Sequence, residues 1–162
     1  MPIRTTGQLA ALTGLNDHVI LHWANQGVIV PEPLSAGGGP GSRRLFNVTE
    51  QSIALALVGL SGAVTVPVLV VIAQALREAL GGGDDEGGWA GILRVRRALA
   101  AAQAGEPAWL LAQPFARPSG ERAARVETAT SQADLAAKVA KLAADGAVIV
   151  VDLTAALAPM RA

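Results

Sequence analysis

The stretch TGLNDHVILHWANQGVIVPEP, residues 13–33, decides the local fold because it contains the end of one helix and the start of another. Gly14 is predicted to end a short helix that begins at Thr5 or Thr6. Asn16 is a good N-cap for a second helix over residues 17–26, because its side-chain oxygen can accept a backbone N–H of the first turn. The stretch therefore predicts two short helices joined by a tight turn.

An extended segment is predicted directly after the second helix. Gly27 supplies the left-handed conformation in which helices commonly end. The β-branched run over residues 28–30 predicts a strand, and residues 43–46 predict a return strand after a glycine-rich loop. Thr49 and Glu50 then open another helix.

Composition excludes several classes of site. The 162 residues form one ordinary domain or two small ones, and the absence of cysteine excludes disulfides and thiolate metal ligands. The formal net charge is zero, so charge on the whole molecule does not predict nucleic-acid binding. The N-terminus lacks the basic and apolar pattern of a signal peptide, which predicts a cytoplasmic location.

Three regions differ in composition. Residues 1–80 are dense in helix signals, residues 81–88 (GGGDDEGG) are predicted to be a linker, and residues 89–162 form a second region. Residues 53–76 carry no charge and are long enough to cross a bilayer. Thr65 and Pro67 interrupt this run as the start of a new helix, so two short helices and no membrane span are expected.

The second region predicts a small α/β domain. A helix over residues 89–103 is followed by two strands, a helix capped by Ser131, and a strand over residues 147–153. The order is α-β-β-α-β. The expected fold class for the whole chain is mainly α (α+β).

Residues 1–80 resemble the winged helix-turn-helix domain of the MerR family. The segments that carry the resemblance are LAALTGL (9–15), VILHW (19–23), QGVIVPEP (26–33) and SRRLF (42–46), in the order of the family pattern. The resemblance implies sequence-specific binding of double-stranded DNA by a bacterial or phage transcriptional regulator. The second helix would enter the major groove, and the hairpin after it would be the wing that contacts the backbone.

Two departures from the family pattern concern DNA contact. Leu21 stands where the family usually has a phosphate-binding arginine, and His22 replaces the neighbouring tyrosine. Residues 1–80 carry four arginines and four acidic residues, so weak binding by a monomer is expected. The segments HWANQG (22–27) and AGGGPGS (36–42) also resemble small terminase subunits, so a DNA-packaging or protein-interaction role in assembly is the alternative.

The candidate DNA-binding residues fall in two groups. The first turns of the second helix contribute side chains that can read base edges, and the predicted wing contributes cations for phosphates. Asn16 also has a structural role as a cap. The residues are Asn16, Asp17, His18, His22, Arg43 and Arg44.

No catalytic residue, metal site or cofactor is predicted. His18 and His22 have the spacing of zinc ligands on a helix, but no third histidine and no cysteine accompanies them. The glycines of residues 38–41 lack the Lys-Ser/Thr of a nucleotide-binding loop. Asp134, Asp145 and Asp152 are scattered along the chain, so an enzyme is not expected.

The helix over residues 66–80 is predicted to contact a partner. It is apolar around most of its circumference, and a helix of this kind is usually buried on all sides. It is expected to pack against a second copy in a homodimer or larger homo-oligomer, or against the C-terminal region, which could itself bind a protein partner. The predicted interface residues are Val66, Leu69, Val70, Ala73 and Leu76.

Overall fold

The computed structural model describes residues 3–33, 43–62, 64–81, 88–120 and 122–160. The chain has a mixed α+β fold and divides into two compact units, Met1–Val70 and Val71–Ala162. The division falls inside a helix, earlier than the boundary predicted after residue 80. The glycine-rich loop (35–42) and residues 82–87 of the predicted linker lie outside the described residues.

The described part of the first unit contains three complete helices and a short two-stranded sheet. Its elements are β1 (Arg4–Thr5), α1 (Thr6–Thr13), α2 (Asp17–Gln26), β2 (Leu45–Phe46) and α3 (Val48–Val58). β1 and β2 are antiparallel, with Arg4 opposite Phe46. The chain therefore returns to its own N-terminus before α3 begins.

The turn between α1 and α2 forms as predicted. Thr5 caps α1 in a capping box with Gln8, and Gly14 ends the helix at φ 73°. Oδ1 of Asn16 accepts the backbone N–H of Val19 at 2.9 Å, so Asn16 is the N-cap of α2. Both helices are short because sequence signals at each end stop them.

The strand predicted over residues 28–30 is wrong. Val28 and Ile29 are both fully buried, although neighbouring side chains of a strand point to opposite faces. The N–H of Val28 bonds the carbonyl of Trp23, and the N–H of Val30 bonds the carboxylate of Glu50 at 2.8 Å. The backbone donors that a hairpin would use are therefore already engaged.

The predicted return strand is shorter than expected. Only Leu45 and Phe46 of residues 43–46 are in a strand, and they pair with β1 rather than with residues 28–30. A backbone bond, from the N–H of Glu32 to the carbonyl of Leu45 at 2.8 Å, joins the two arms of the predicted hairpin. Residues 28–30 nevertheless form no strand with residues 45–46.

The uncharged run divides into two helices, as predicted. α3 ends at Val58, and α4 (Val66–Gly81) begins after Thr65, whose carbonyl accepts the N–H groups of Val68 and Leu69. No helix within the described ranges has the length and apolarity needed to cross a bilayer.

Burial of α4 is one-sided. The buried side chains are spaced as one helical face, whereas Val66 and Val70 of the predicted interface are only half-buried. The single chain already buries the other three, so burial within one chain does not test the predicted contact with a second copy, which stays a prediction. The buried face consists of Leu69, Ile72, Ala73 and Leu76.

The second unit follows the predicted order of elements. After the end of α4 it contains α5 (Gly88–Ala104), β3 (Trp109–Ala116), β4 (Arg122–Ala129), α6 (Gln132–Ala143), β5 (Ile149–Asp152) and α7 (Leu153–Ala156). The strands form an antiparallel sheet in the order β4-β3-β5. The short helix α7, capped by Asp152, was not predicted.

α6 covers one face of this sheet. Ser131 caps the helix, and its predicted apolar stripe packs on the strands. Leu142 is fully buried with Leu111 and Ala129, and Leu135 and Val139 pack against this cluster. Since successive strand residues alternate between faces, the odd-numbered residues of β3 and β4 face α6.

We expect Leu142→Ala to lower the free energy of unfolding by about 2–5 kcal/mol, because it leaves a cavity between α6 and the sheet. Urea titration followed by circular dichroism measures this loss. The neighbouring Lys141 is exposed, so Lys141→Ala is the control and should change stability by no more than about 0.5 kcal/mol. Equal effects of the two substitutions would contradict the described packing of α6.

Candidate functional site

The exposed face of α2 brings four side chains together. His18, Leu21, His22 and Asn25 are all exposed and follow the i, i+3, i+4, i+7 spacing of one helical face. We call these four residues the α2 stripe. On the other side of the helix, Ile20 and Trp23 are buried, and α2 packs against α1. The predicted core role of Trp23 is confirmed.

Asn16 has a defined structural role at the start of α2. Its Oδ1 accepts the N–H of Val19 at 2.9 Å, and the residue is exposed. Bidentate recognition of adenine uses the amide oxygen as well as the nitrogen. Asn16 could therefore read adenine only if its oxygen accepted a second hydrogen bond while it remained the cap.

Asp17 lies close to the first turn of α1. A Cβ atom added to Gly7 would be 3.6 Å from Oδ2 of Asp17. The positive end of the α1 dipole favours a carboxylate at this place. The exposed Asp17 thus lies near the first turns of both helices and is not part of the α2 stripe, although it was predicted together with His18 and His22.

Arg43 and Arg44 precede β2 directly. Arg43 is exposed and Arg44 is half-buried. Within the described residues, neither guanidinium forms an ion pair or hydrogen bond, and no such bond joins either one to the α2 stripe. Both groups of predicted residues belong to the first unit.

Two polar side chains at the start of α3 hold the segments around the candidate site. Glu50 is 5% exposed and Oε2 accepts the N–H of Val30, just after α2. Gln51 is 1% exposed; its Nε2 donates to the carbonyl of Phe46 at 2.9 Å and its Oε1 accepts Nε of Arg4 at 3.1 Å. Bonds of this kind offset the cost of burying polar groups.

A second connection fixes the chain before and after the glycine-rich loop. Nδ2 of Asn47 donates to Oε1 of Glu32 at 2.7 Å, and Oδ1 of Asn47 accepts the N–H of Glu50 as the N-cap of α3. Together with the bond from Glu32 to Leu45, this contact keeps Glu32, before the loop, next to Leu45 and Asn47, after it.

Sequence reasoning missed the roles of Glu32, Asn47, Glu50 and Gln51. One signal was available: Asn47 and Glu50 have the spacing of an N-cap and its third helical residue. The long-range partners were not available, because no local pattern connects Glu50 with Val30 or Gln51 with Arg4.

The remaining polar candidates have structural contacts. In the second unit, Asp134 pairs with Lys138 at 2.8 Å, Oδ2 of Asp145 lies 3.9 Å from Nη1 of Arg125, and Asp152 caps α7. Among the residues that the structure describes, no three histidines, aspartates or glutamates lie close enough together to bind a metal.

Comparison with known proteins finds no family model that matches this sequence and no curated protein with significant similarity.

We expect Glu50→Ala to lower the free energy of unfolding by about 1–3 kcal/mol, because the N–H of Val30 loses its acceptor. Glu50→Gln keeps a side-chain oxygen and should cost less. Urea titration measures both. Glu78 is exposed on α4, so Glu78→Ala is the matched control, and a loss as large as that of Glu50→Ala would contradict the role of the buried carboxylate.

Proposed function

We propose that the chain binds double-stranded DNA through its first unit, in the manner of a helix-turn-helix regulator from a bacterium or phage. The observation that carries the proposal is the α2 stripe: a short helix, capped at both ends, presents a complete face to solvent while its opposite face is buried. The MerR-like order of segments in the sequence supports the same assignment.

The dimensions and side chains of α2 suit a major groove. An α-helix with its side chains is about 10–12 Å wide, and the groove is about 12 Å wide. His18, His22 and Asn25 carry hydrogen-bonding groups for base edges, and Leu21 can contact a thymine methyl group. Each of these side chains can be used without unpacking the core.

Arg43 and Arg44 are assigned to the phosphate backbone. Their guanidinium groups carry the charge and donors that phosphate contacts require. The described part of the first unit otherwise has few cations, so binding by one copy should be weak and should increase when two copies bind adjacent half-sites. This arrangement fits a homodimer on an inverted repeat.

Arg43→Ala/Arg44→Ala should reduce DNA affinity. It should also make the slope of the logarithm of the binding constant against the logarithm of salt concentration shallower by about 1.8, since each lost phosphate contact removes about 0.9 from the slope. Purified protein is incubated with fragmented genomic DNA, the retained fragments are sequenced, and the enriched motif is titrated at several salt concentrations. We expect one inverted-repeat motif for the unmodified chain.

The matched control is Arg97→Ala/Lys141→Ala, which removes the same charge from two exposed positions of the second unit. It should leave the salt slope unchanged. No enriched motif, or identical retention by both double variants, would contradict DNA binding through the first unit. A ring of many copies without an enriched motif would instead favour the assembly role.

Asn16→Ser separates capping from base recognition. Serine is also a good N-cap, so stability should change by only a few tenths of a kcal/mol. If Asn16 only caps α2, the enriched motif stays the same, which is the result we expect from its bond to Val19. His18→Ala is the comparison and should relax the preference at one position of the motif; an unchanged motif there would count against the assigned face of α2.

A further inference from the structure

Strand β4 forms an open edge of the sheet in the second unit. It pairs with β3 on one side, and in the described ranges no strand pairs with its other side. β4 is eight residues long and contains no proline, which would prevent pairing, although it carries the charged residues Arg122, Arg125 and Glu127. The opposite edge, β5, has only four residues.

A cavity of about 270 Å³ lies along this edge. It is lined by four consecutive residues of β4, 125–128, together with Arg94 and Val95 of α5 and Lys138 of α6. Consecutive strand residues point to opposite faces of a sheet. A cavity that touches all four therefore opens along the side of the strand, between the two helices that flank β4.

The charges next to this edge are self-complementary. Arg125 and Glu127 lie on the face that α6 covers, two residues apart, with Val126 between them. In an antiparallel pair, residues directly opposite each other have side chains on the same face. If Val126 pairs with Val126 of a second copy, Arg125 of each copy lies opposite Glu127 of the other.

We propose that the open edge of β4 pairs with β4 of a second copy, antiparallel and centred on Val126. The two three-stranded sheets join into one of six strands, and two Arg125–Glu127 pairs fix the register. Ala124 then lies opposite Thr128, and Ala123 opposite Ala129, so small side chains flank the charged pairs, while Arg122 lies at the end of the paired segment.

One contact within the chain must give way for this pairing. Nζ of Lys138 donates to the carbonyl of Thr128 at 2.6 Å and to Oδ2 of Asp134 at 2.8 Å, so the ammonium must release this carbonyl, which then accepts the N–H of Ala124 of the second copy. Arg125 is about half exposed, and Nη1 lies 3.9 Å from the largely exposed Asp145. Such an exposed pair is weak, so Arg125 can contact Glu127 of a second copy at little cost.

The charge pattern defines the experiment. Arg125→Glu places two glutamates opposite each other in both pairs, and Glu127→Arg places two arginines there. Each variant alone should dissociate at a concentration about tenfold higher or more than the unmodified dimer, because two attractive pairs become repulsive. Sedimentation velocity over a range of concentrations measures this change.

Two combinations of these substitutions restore opposite charges at the facing positions and are the controls. The double variant Arg125→Glu/Glu127→Arg should dimerise like the unmodified chain. An equimolar mixture of the two single variants should form heterodimers, because positions 125 and 127 that face each other then carry opposite charges in both pairs. Far-UV circular dichroism checks that every variant is folded.

The result that would overturn the proposal is an unmodified chain that stays monomeric at every concentration. A dimer that neither single variant weakens would overturn it equally, because the contact would then lie elsewhere, as on α4. The test is independent of DNA binding, since each variant keeps the first unit unchanged and should still bind a half-site.

Discussion

The first unit depends on the burial of residues 50–57, the larger part of α3. Residues 50–57 are all at most 5% exposed, so the helix is surrounded by protein, and its polar residues must find partners inside the chain. Glu50 accepts the N–H after α2, and Gln51 joins β1 to β2. The bonds that remove the cost of burial are therefore the same bonds that position the segments around the candidate site.

The local signals of the sequence were sufficient for the helices. The ends of α2 agree with the prediction, because Asn16 and Gly27 act through contacts within a few residues. The predicted order of elements and the α6 stripe in the second unit also depend on short-range patterns. The strand at residues 28–30 failed because a β-branched run cannot indicate that Glu50, far along the chain, takes the backbone donor of Val30.

The sequence likewise predicted one part of the candidate site and not the other. Periodicity alone places His18 and His22 on the exposed side of α2 and Trp23 in the core. Periodicity could not show that Asp17 lies apart from this face, because its carboxylate is near Gly7 in the first turn of α1, and this contact depends on the packing of the two helices. Nor could it reveal that β4 is an edge, which follows only from the order of strands.

The separation of the two sides of α2 has an evolutionary consequence. The caps and the buried pair Ile20 and Trp23 hold the helix in place, whereas the α2 stripe contributes nothing to the core. Substitutions in the stripe should therefore have little effect on the free energy of folding, so selection acts on them through the surface they change. Descendants of this chain can therefore change the chemistry of this surface through single mutations while they keep the same scaffold.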